Sequence, residues 1–339
     1  MCIRDSPPPV AKAVLAADMA QAARLLSESV QIETVSTDLT RPEFPKFVTF
    51  LQDAFPAVHA ATDRQTFASN SLLFRWQGTD DKLPPALFAA HYDVVPVAQE
   101  TIDEWQHPPF LGVQADGYVW GRGTMDNKGA VIAILTAAEH LIDQGFQPER
   151  TLYFAIGGDE EVGGAGAQSI RDHLTDQGIT LAWVLDEGSM VFEGSRWRVD
   201  KPVASINVAE KGYLTVTLVA RHEGGHSATP PRMTAAGRIA RAVDRVQSAR
   251  FDGKMDGVVL AQFREIGPHY ALRERLLLAN LWLLKPIFEG ILSGSAGSDA
   301  MLRTTIAPTM LTGSPKDNVL PAQATATINF RIHPRDTIA

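Results

Sequence analysis

Apolar positions up to about residue 205 fall into two kinds of segment that follow one another along the chain. Short, continuously apolar runs are typical of buried strands in a parallel sheet, and they cover residues 71–76, 85–97, 151–156 and 181–188. Segments with helical spacing cover residues 11–30, 44–55, 129–145 and 169–178. Because predicted strands and helices alternate, the pattern predicts an α/β sandwich with a mostly parallel sheet.

The pattern changes near residue 205. Strict alternation of apolar and polar residues, typical of half-exposed antiparallel strands, is found over 205–224 and again over 323–334. An amphipathic helix is predicted between them, over 235–247. We therefore predict a first domain over 11–205 and a second, α+β domain over 206–339, with a helical insertion at about 255–305.

The most apolar stretch of the chain is residues 276–288, "LLLANLWLLKPIF". It is too short to cross a bilayer, and it contains Lys285 and Pro286. A packing or lid helix is the default interpretation. Contact with a hydrophobic substrate and contact with a membrane surface remain open as alternative roles.

Both ends of the chain have an unusual sequence. Residues 1–6, "MCIRDS", lead into no predicted element, and we interpret residues 1–10 as an artefact or a truncated N-terminus. The chain stops directly after a strand-like run, residues 329–339, which we interpret as truncation. The compartment is left open between the cytoplasm and, if a missing N-terminus carries a signal, export or membrane anchoring.

Size and charge restrict the class of protein. A chain of 339 residues is long enough for two domains. The formal charge of −8, without a dense stripe of lysine and arginine, argues against nucleic acid as a partner. The single cysteine, Cys2, excludes a disulfide framework and a cysteine-based zinc site. Any metal must therefore be held by histidine, aspartate and glutamate.

Acidic residues and a histidine follow the predicted strands of the first domain at the places where those strands end. They are His91 and Asp93 in "HYD", Asp126 in "GRGTMDNKG", Glu160 and Glu161 in "GGDEEVGG", and Asp186 and Glu187 in "LDEG". Open α/β sheets place their sites at the carboxyl ends of strands. One histidine with several carboxylates suits a pair of divalent metals that polarise a carbonyl and activate water.

Each of these motifs also has an ordinary interpretation when it is taken alone. His91 could be a buried structural histidine, Asp126 a helix N-cap, and the paired glutamates a solvated turn. Four motifs in order at four strand ends favour the metal site. Two other chemistries fit poorly, because "GRGTMDNKG" lacks the Walker order and residues 293–297, "SGSAG", lack the first glycine of a nucleophile elbow.

The second domain offers three further candidates. His226 lies in "GGHSATPP", which predicts a rigid exposed turn, or else a plain surface loop. Asn318 and Arg331 could bind a substrate carboxylate, which arginine does bidentately. The alternatives are an ordinary turn and a surface ion pair.

Together these motifs resemble the zinc-dependent exopeptidases and amidohydrolases that include acetylornithine deacetylase, succinyl-diaminopimelate desuccinylase and carboxypeptidase S. The quoted motifs, with "DNVLPAQATATINFRIHP", occur in the order of that family, and "HYDVVP" is nearest to the carboxypeptidase S and N-acyl-amino-acid hydrolase branch. The resemblance implies a zinc-exopeptidase-like α/β/α sandwich. It also implies an inserted, ferredoxin-like α+β domain that acts as a lid and forms a homodimer.

The resemblance implies a role for each candidate residue. Metal ligands would be His91 and Asp186 on the first ion, Asp126 as the bridge, and Glu161 on the second ion. Asp93 would orient the histidine, and Glu160 would be the general base. In the second domain, His226 would stabilise the oxyanion, and Asn318 and Arg331 would lie near the carboxylate of the substrate. The metals would be zinc, although carboxylate-rich sites also accept cobalt and manganese.

We therefore predict a two-metal hydrolase that cleaves an amide bond next to a free carboxylate, in a peptide or an N-acyl amino acid. The expected attacking group is metal-bound hydroxide, with Glu160 as the base. The family has a further histidine ligand, which would lie beyond residue 339, so we predict that this fragment is inactive or poorly folded. A catalytically inactive metal- or peptide-binding module is the alternative. An oligomerisation scaffold leaves the strand-end carboxylates unexplained.

Overall fold

The computed structural model describes residues 18–188, 191–255 and 257–338. These residues form two compact units, a first unit that ends at Gly188 and a second unit that follows it. The sequence pattern placed the change near residue 205. The structure places it earlier because Trp197, Val199 and Val203 pack in the hydrophobic core of the second unit. The segment interpreted as an artefact, residues 1–10, lies outside the described residues.

The first unit contains helices and strands in alternation. Its helices are α1 (Met19–Val30), α2 (Glu43–Ala54), α3 (Pro56–Ala61), α4 (Lys128–Asp143) and α5 (Ala165–Asp176). Its strands are β1 (Asp63–Thr66), β2 (Leu72–Trp76), β3 (Ala86–His91), β4 (Val113–Ala115), β5 (Tyr118–Trp120), β6 (Leu152–Gly157) and β7 (Trp183–Leu185).

The central sheet has the strand order β1-β2-β6-β3-β7. Strand β3 runs parallel to both β6 and β7, whereas β2 pairs antiparallel with β1 and with β6. The α/β class is therefore confirmed. The expectation of a mostly parallel sheet is wrong for the described strands, because β1 and β2 pair antiparallel and only β3, β6 and β7 pair in parallel. The reason is local: β1 and β2 form a hairpin closed by a short turn at Ala68–Asn70, which reverses the chain between them.

Helices cover both faces of this sheet. On one face, Phe74 and Ile156 of the sheet pack with Phe44 and Phe47 of α2 and with Leu135 of α4. On the other face, neighbouring strand residues pack against α5; they are Leu73, Leu87 and Tyr153, in contact with Ile170 and Leu174. Alternate residues of a strand point to opposite faces, so the continuous apolar runs supply both cores.

The second unit is built on antiparallel pairing. Its strands are β8 (Val191–Phe192), β9 (Val203–Ala204), β10 (Gly212–Arg221), β11 (Gly225–His226), β12 (Thr305–Thr312), β13 (Val319–Leu320) and β14 (Gln323–Ile332). A sheet of order β10-β14-β12 carries helix α6 (Ala235–Ser248) on one face, where Ile239 meets Ala324 and Ala326. The strand predicted from residue 205 thus begins at Gly212.

The insertion between α6 and β12 is helical, as the sequence predicts. Its helices are α7 (Gly257–Ile266), α8 (Leu272–Ala279), α9 (Leu281–Leu292) and α10 (Ala296–Ala300). The rings of Phe263 in α7 and Phe288 in α9 meet edge to face, with 5.1 Å between their centroids. Among the described residues, no helix combines the length and the apolar character needed to cross a membrane.

Candidate metal centre

The candidate residues of the first unit lie at one edge of the central sheet. Strands β3, β6 and β7 are mutually aligned in parallel, so their carboxyl ends meet at the same edge. His91 is the last residue of β3, and Glu160 and Glu161 follow the end of β6. Asp126 lies in the loop before α4. The fold therefore brings together side chains that are far apart in sequence.

His91 is the buried centre of the cluster. Its Nδ1 lies 3.0 Å from the backbone oxygen of Asp93 and 3.3 Å from the Oδ1 of the same residue. Its Nε2 faces the carboxylates, at 3.0 Å from Asp126 Oδ1, 3.3 Å from Glu187 Oε2 and 3.9 Å from Glu160 Oε2. Burial alone would lower the pKa of His91, but the bond to Asp93 and the surrounding charges raise it to about 9.

Asp93 is fully buried and contacts the backbone of the glutamate pair as well as the ring of His91. Its Oδ1 accepts the backbone N–H of Glu160, and its Oδ2 accepts the backbone N–H of Glu161, both at 3.0 Å. These bonds start the short 3₁₀ turn Glu160–Val162. The two adjacent glutamates therefore leave the strand alternation, because one carboxylate holds both of their amides.

The acidic residue just before the glutamate pair has a structural function. Both oxygens of the buried Asp159 lie 3.1 Å from the backbone nitrogen of Gly166, in the first turn of α5. Gly166 is required there, because a Cβ would lie 1.8 Å from Ser71 Oγ. The motif "GGDEEVGG" thus combines a helix-capping aspartate with two glutamates that reach the cluster.

The loop that carries Asp126 is fixed by its two following residues. Lys128 is fully buried, and its Nζ donates to the backbone oxygens of Ser29 at 2.9 Å and Ile32 at 2.6 Å. Burial lowers the pKa of Lys128 to about 7. The Asn127 side chain donates to the Glu187 carboxylate. Sequence reasoning noted neither contact, since only the fold brings these partners together.

Two overlapping groups of side chains have the spacing of a metal site. His91, Asp126 and Glu161 form one, and His91, Glu160 and Glu187 form the other, with ligand atoms within 4.8 Å of one another. Glu161 Oε1 is buried and has no hydrogen-bond partner among the described residues. Imidazole and carboxylate donors suit zinc and similar divalent ions. An unpaired buried carboxylate oxygen in such a set fits a cation.

Burial also changes the acidity of the two glutamates. Desolvation raises the pKa of Glu160, and the charges of Glu187, Glu161 and Asp93 raise it further, while His91 opposes them. Desolvation likewise raises the pKa of Glu161, and the charge of Asp126 raises it further. A carboxylate with a raised pKa is a better proton acceptor.

The structure separates the two acids of "LDEG". Glu187 reaches His91, whereas Asp186 is exposed and accepts the backbone N–H of Glu187 at 2.9 Å. Asp186 belongs to neither group of ligand atoms found among the described residues. Strand β7 ends at Leu185, so the strand pattern cannot decide which acid turns inward, and here Asn127 holds Glu187. The metal role of Asp186 stays a prediction.

Two of the three candidates of the second unit lie on strands, His226 on β11 and Arg331 on β14, and Asn318 lies in the turn just before β13. His226 pairs with Val319, and the backbone N–H of Ser227 donates to the oxygen of Asn318 at 3.1 Å, so His226 and Asn318 are neighbours. Arg331 lies on β14, with its guanidinium 4.8 Å from the ring centroid of Tyr213. Their catalytic and substrate roles stay predictions.

An α/β sheet with one histidine and several carboxylates at its strand ends has the ligand types and the position of a metal site. The chain belongs to peptidase family M20/M25/M40, whose model matches residues 87–318. The resemblance inferred from the motifs is thereby confirmed at the level of the family.

Individual relatives agree with this assignment. The chain is 41% identical to "Probable carboxypeptidase S-like 2" of Dictyostelium discoideum, over 93% of this chain and 62% of the relative. It is 38% identical to "N-fatty-acyl-amino acid synthase/hydrolase PM20D1" of Xenopus tropicalis, over 94% and 63%. The chain thus spans about three fifths of the length of these relatives.

Solved structures show the same fold at low identity. The M20 family metallo-carboxypeptidase Sso-CP2 from Sulfolobus solfataricus superposes with a TM-score of 0.59 at 20% identity, over 93% of this chain and 72% of that one. Human carnosine dipeptidase 1 superposes with a TM-score of 0.55 at 17% identity, over 95% and 72%.

Proposed function

We propose that this chain is the metal-binding part of a hydrolase that cleaves an amide bond next to a free carboxylate. The observation that carries the proposal is the cluster around His91, in which a buried Glu161 oxygen lacks a partner among the described residues. Two divalent ions, zinc in the first instance, would be held by His91, Asp126, Glu161 and an acid of the Asp186–Glu187 pair. Bound there, they would polarise the carbonyl and acidify water.

Glu160 is the general base in this proposal. Its carboxylate lies 3.9 Å from His91 Nε2, at the outer side of the cluster, and its side chain is half exposed. It takes a proton from water and returns it to the leaving amine. Asp93 holds the Glu160 amide and the His91 ring together, so one buried carboxylate fixes both the ligand and the base.

The substrate class comes from the relatives. One carries carboxypeptidase in its name and the other N-fatty-acyl-amino acid hydrolase, so we propose a peptide or an N-acyl amino acid. His226 would stabilise the oxyanion, and Asn318 and Arg331 would bind the carboxylate. A homodimer formed through the second unit is part of the same proposal.

A metal-binding module without turnover is the second candidate. Both groups of ligand atoms share the same histidine, His91, so the described residues offer the second ion no histidine of its own. The family resemblance implies a further histidine ligand for the second ion, and we propose that full activity requires it. The comparison between residues 1–339 and a chain of the relatives' full length tests this point.

Adjacent glutamates provide the sharpest test. Glu160→Gln should reduce turnover about 100-fold or more with metal content unchanged, because a general base contributes at least that factor. Glu161→Gln should instead weaken metal binding, because it removes a ligand. Metal content is measured by elemental analysis and chelator competition, and turnover on N-acyl amino acids and dipeptides, in the full-length protein.

The outcomes separate the candidates. Loss of metal in Glu160→Gln would show that the base and ligand roles are wrongly assigned. Metal binding that depends on Glu161, without hydrolysis of any substrate by the unaltered protein, would favour the binding module. Absence of metal binding altogether would remove both candidates.

A further inference from the structure

The outer face of α9 is apolar throughout. Its exposed residues are Trp282, Leu283, Pro286, Ile287, Gly290 and Ile291. Its charged residues, Lys285 and Glu289, are only partly exposed and lie 3.9 Å apart. Helices on the surface of a globular protein normally show the reverse arrangement, with charge outward. The exposed face of α9 is therefore unusual in composition, not only in the number of its apolar residues.

The opposite face of α9 is fully used in the core of the second unit. Leu281, Phe288 and Leu292 pack against the cluster that contains Phe263. Glu289 also accepts the backbone N–H of Met255 at 2.6 Å. These contacts fix the rotation of α9 about its axis. The apolar outer face is consequently not a core face that the helix has rotated outward, because the core contacts are already made by the opposite face.

Helix α8 extends the same kind of surface. Its exposed residues are Leu272, Arg273, Leu276 and Leu277. We call the exposed residues of α8 and α9 together the α8–α9 surface. Arg273 is the charged member of this surface, and the others are apolar. A large apolar patch with a cation and no exposed acid is complementary to an anionic lipid surface.

We propose that the α8–α9 surface binds a lipid bilayer and lies in its interface. Helix α9 has 12 residues, or about 18 Å at 1.5 Å per residue, which is less than the roughly 30 Å of a hydrocarbon core. It therefore lies along the membrane plane. Trp282, whose exposed fraction is 81%, has the side chain that prefers the headgroup region, and Arg273 meets anionic headgroups.

Charge favours a bilayer over a second copy of the chain. A twofold-symmetric interface brings the same patch from both subunits together. The α8–α9 surface carries only a positive charge, so two copies would gain apolar contact but no complementary charge. The proposal does not depend on the metal centre.

Vesicle flotation tests the proposal. The protein is mixed with phosphatidylcholine vesicles, with or without phosphatidylserine. We expect binding that phosphatidylserine strengthens. The triple variant Leu283→Gln/Ile287→Gln/Ile291→Gln should lose about tenfold or more of the binding, because it removes three exposed apolar side chains that the bilayer would bury. Arg273→Gln should lose the phosphatidylserine dependence.

A matched control uses exposed apolar residues outside this surface. Met310 and Leu311 on β12 are 61% and 65% exposed, similar to Leu283, Ile287 and Ile291. Met310→Gln/Leu311→Gln should bind vesicles like the unaltered protein. An equal loss in this control would overturn the proposal, because any exposed apolar residue would then have the same effect.

Two further measurements keep the test decisive. Tryptophan emission should shift to the blue on vesicles, and Trp282→Phe should abolish that shift even if the triple variant folds poorly. Absence of flotation and of the blue shift in the unaltered protein would refute the proposal. Light scattering that shows a dimer converted to a monomer by the triple variant, without vesicle binding, would identify a second copy as the occupant.

Discussion

The two units of the molecule treat charge in opposite ways. The first unit buries Asp93 and Lys128 completely and surrounds them with hydrogen-bond partners. The second unit, on α9, keeps Lys285 and Glu289 partly covered and turns apolar side chains toward solvent. Buried charge in the first unit fixes the geometry of a site. Exposed apolar area in the second indicates a surface for contact.

The energetic reason for this difference is the cost of desolvation. A buried carboxylate or ammonium is tolerated only when it is hydrogen-bonded, so each such group specifies the positions of its partners. Exposed apolar residues do not require partners at specified positions. A site can therefore be inferred in the first unit from distances between atoms. In the second unit, composition and exposure carry the inference.

The comparison predicts that the largest loss of stability comes from replacing the buried Asp93. Asp93→Asn replaces one acceptor oxygen by an NH₂ group, so the amides of Glu160 and Glu161 can no longer both be accepted. We expect a loss of about 3 kcal/mol in the free energy of unfolding, since a buried group is left unpaired beside a donor. Urea unfolding measures it, and metal affinity should fall with it.

Asp63 provides the control for that measurement. Its carboxylate is 74% exposed and lies 3.5 Å from Arg75, so Asp63→Asn should change the free energy of unfolding by less than about 0.5 kcal/mol. Equal losses at Asp63 and Asp93 would mean that burial does not decide the cost of removing a carboxylate here.

A smaller effect is expected at Lys128. Lys128→Met removes the bonds to Ser29 and Ile32, but each of those oxygens keeps a backbone donor, Ile32 N at 3.2 Å and Thr34 N at 2.9 Å. We therefore expect a loss of about 1–2 kcal/mol in urea unfolding. The exposed Lys82 is the control, and Lys82→Met should cost nothing measurable. A cost at Lys128 above that at Asp93 would reverse the order argued above.

The strands and helices of the first unit could be predicted because their periodicity is local. The end of β6 was predicted within one residue, and with it the position of Glu160, whereas the predicted run 85–97 continues past the end of β3 at His91. The antiparallel pairing of β2 could not be predicted, since pairing depends on which strand lies beside it in space. A continuously apolar strand is compatible with either direction.

The sequence could not predict which acid of the pair Asp186–Glu187 faces His91. Both acids follow the last strand residue, Leu185, where the alternation of faces no longer applies. The contact from Asn127 comes from a loop about sixty residues earlier, and only the fold brings it near. The exposure of α9 was equally hidden, because an apolar sequence is compatible with burial.

Removing a helix N-cap from either unit should lower the free energy of unfolding by about 1 kcal/mol. The Asp18 side chain accepts from Ala20 N and Gln21 N at 3.0 Å in α1, and Thr234 accepts from Gly237 N at 3.0 Å in α6. Asp18→Ala should lower hydrogen-exchange protection in the first unit, and Thr234→Ala in the second. Because each unit has its own core, we expect each substitution to lower protection in its own unit only, and loss of protection in both units from one substitution would contradict this expectation.

The smallest effect is expected on the outer face of α9. Ile287 is 63% exposed, so Ile287→Gln should change the free energy of unfolding by less than about 0.5 kcal/mol. The next residue, Phe288, packs on Phe263, and Phe288→Ala should cost more than about 1.5 kcal/mol by urea unfolding. If the two substitutions cost the same, the outer face is packed rather than exposed. A negligible cost at Ile287 would instead show that its apolar character is not required for folding, which leaves contact with something outside this chain as its physical reason.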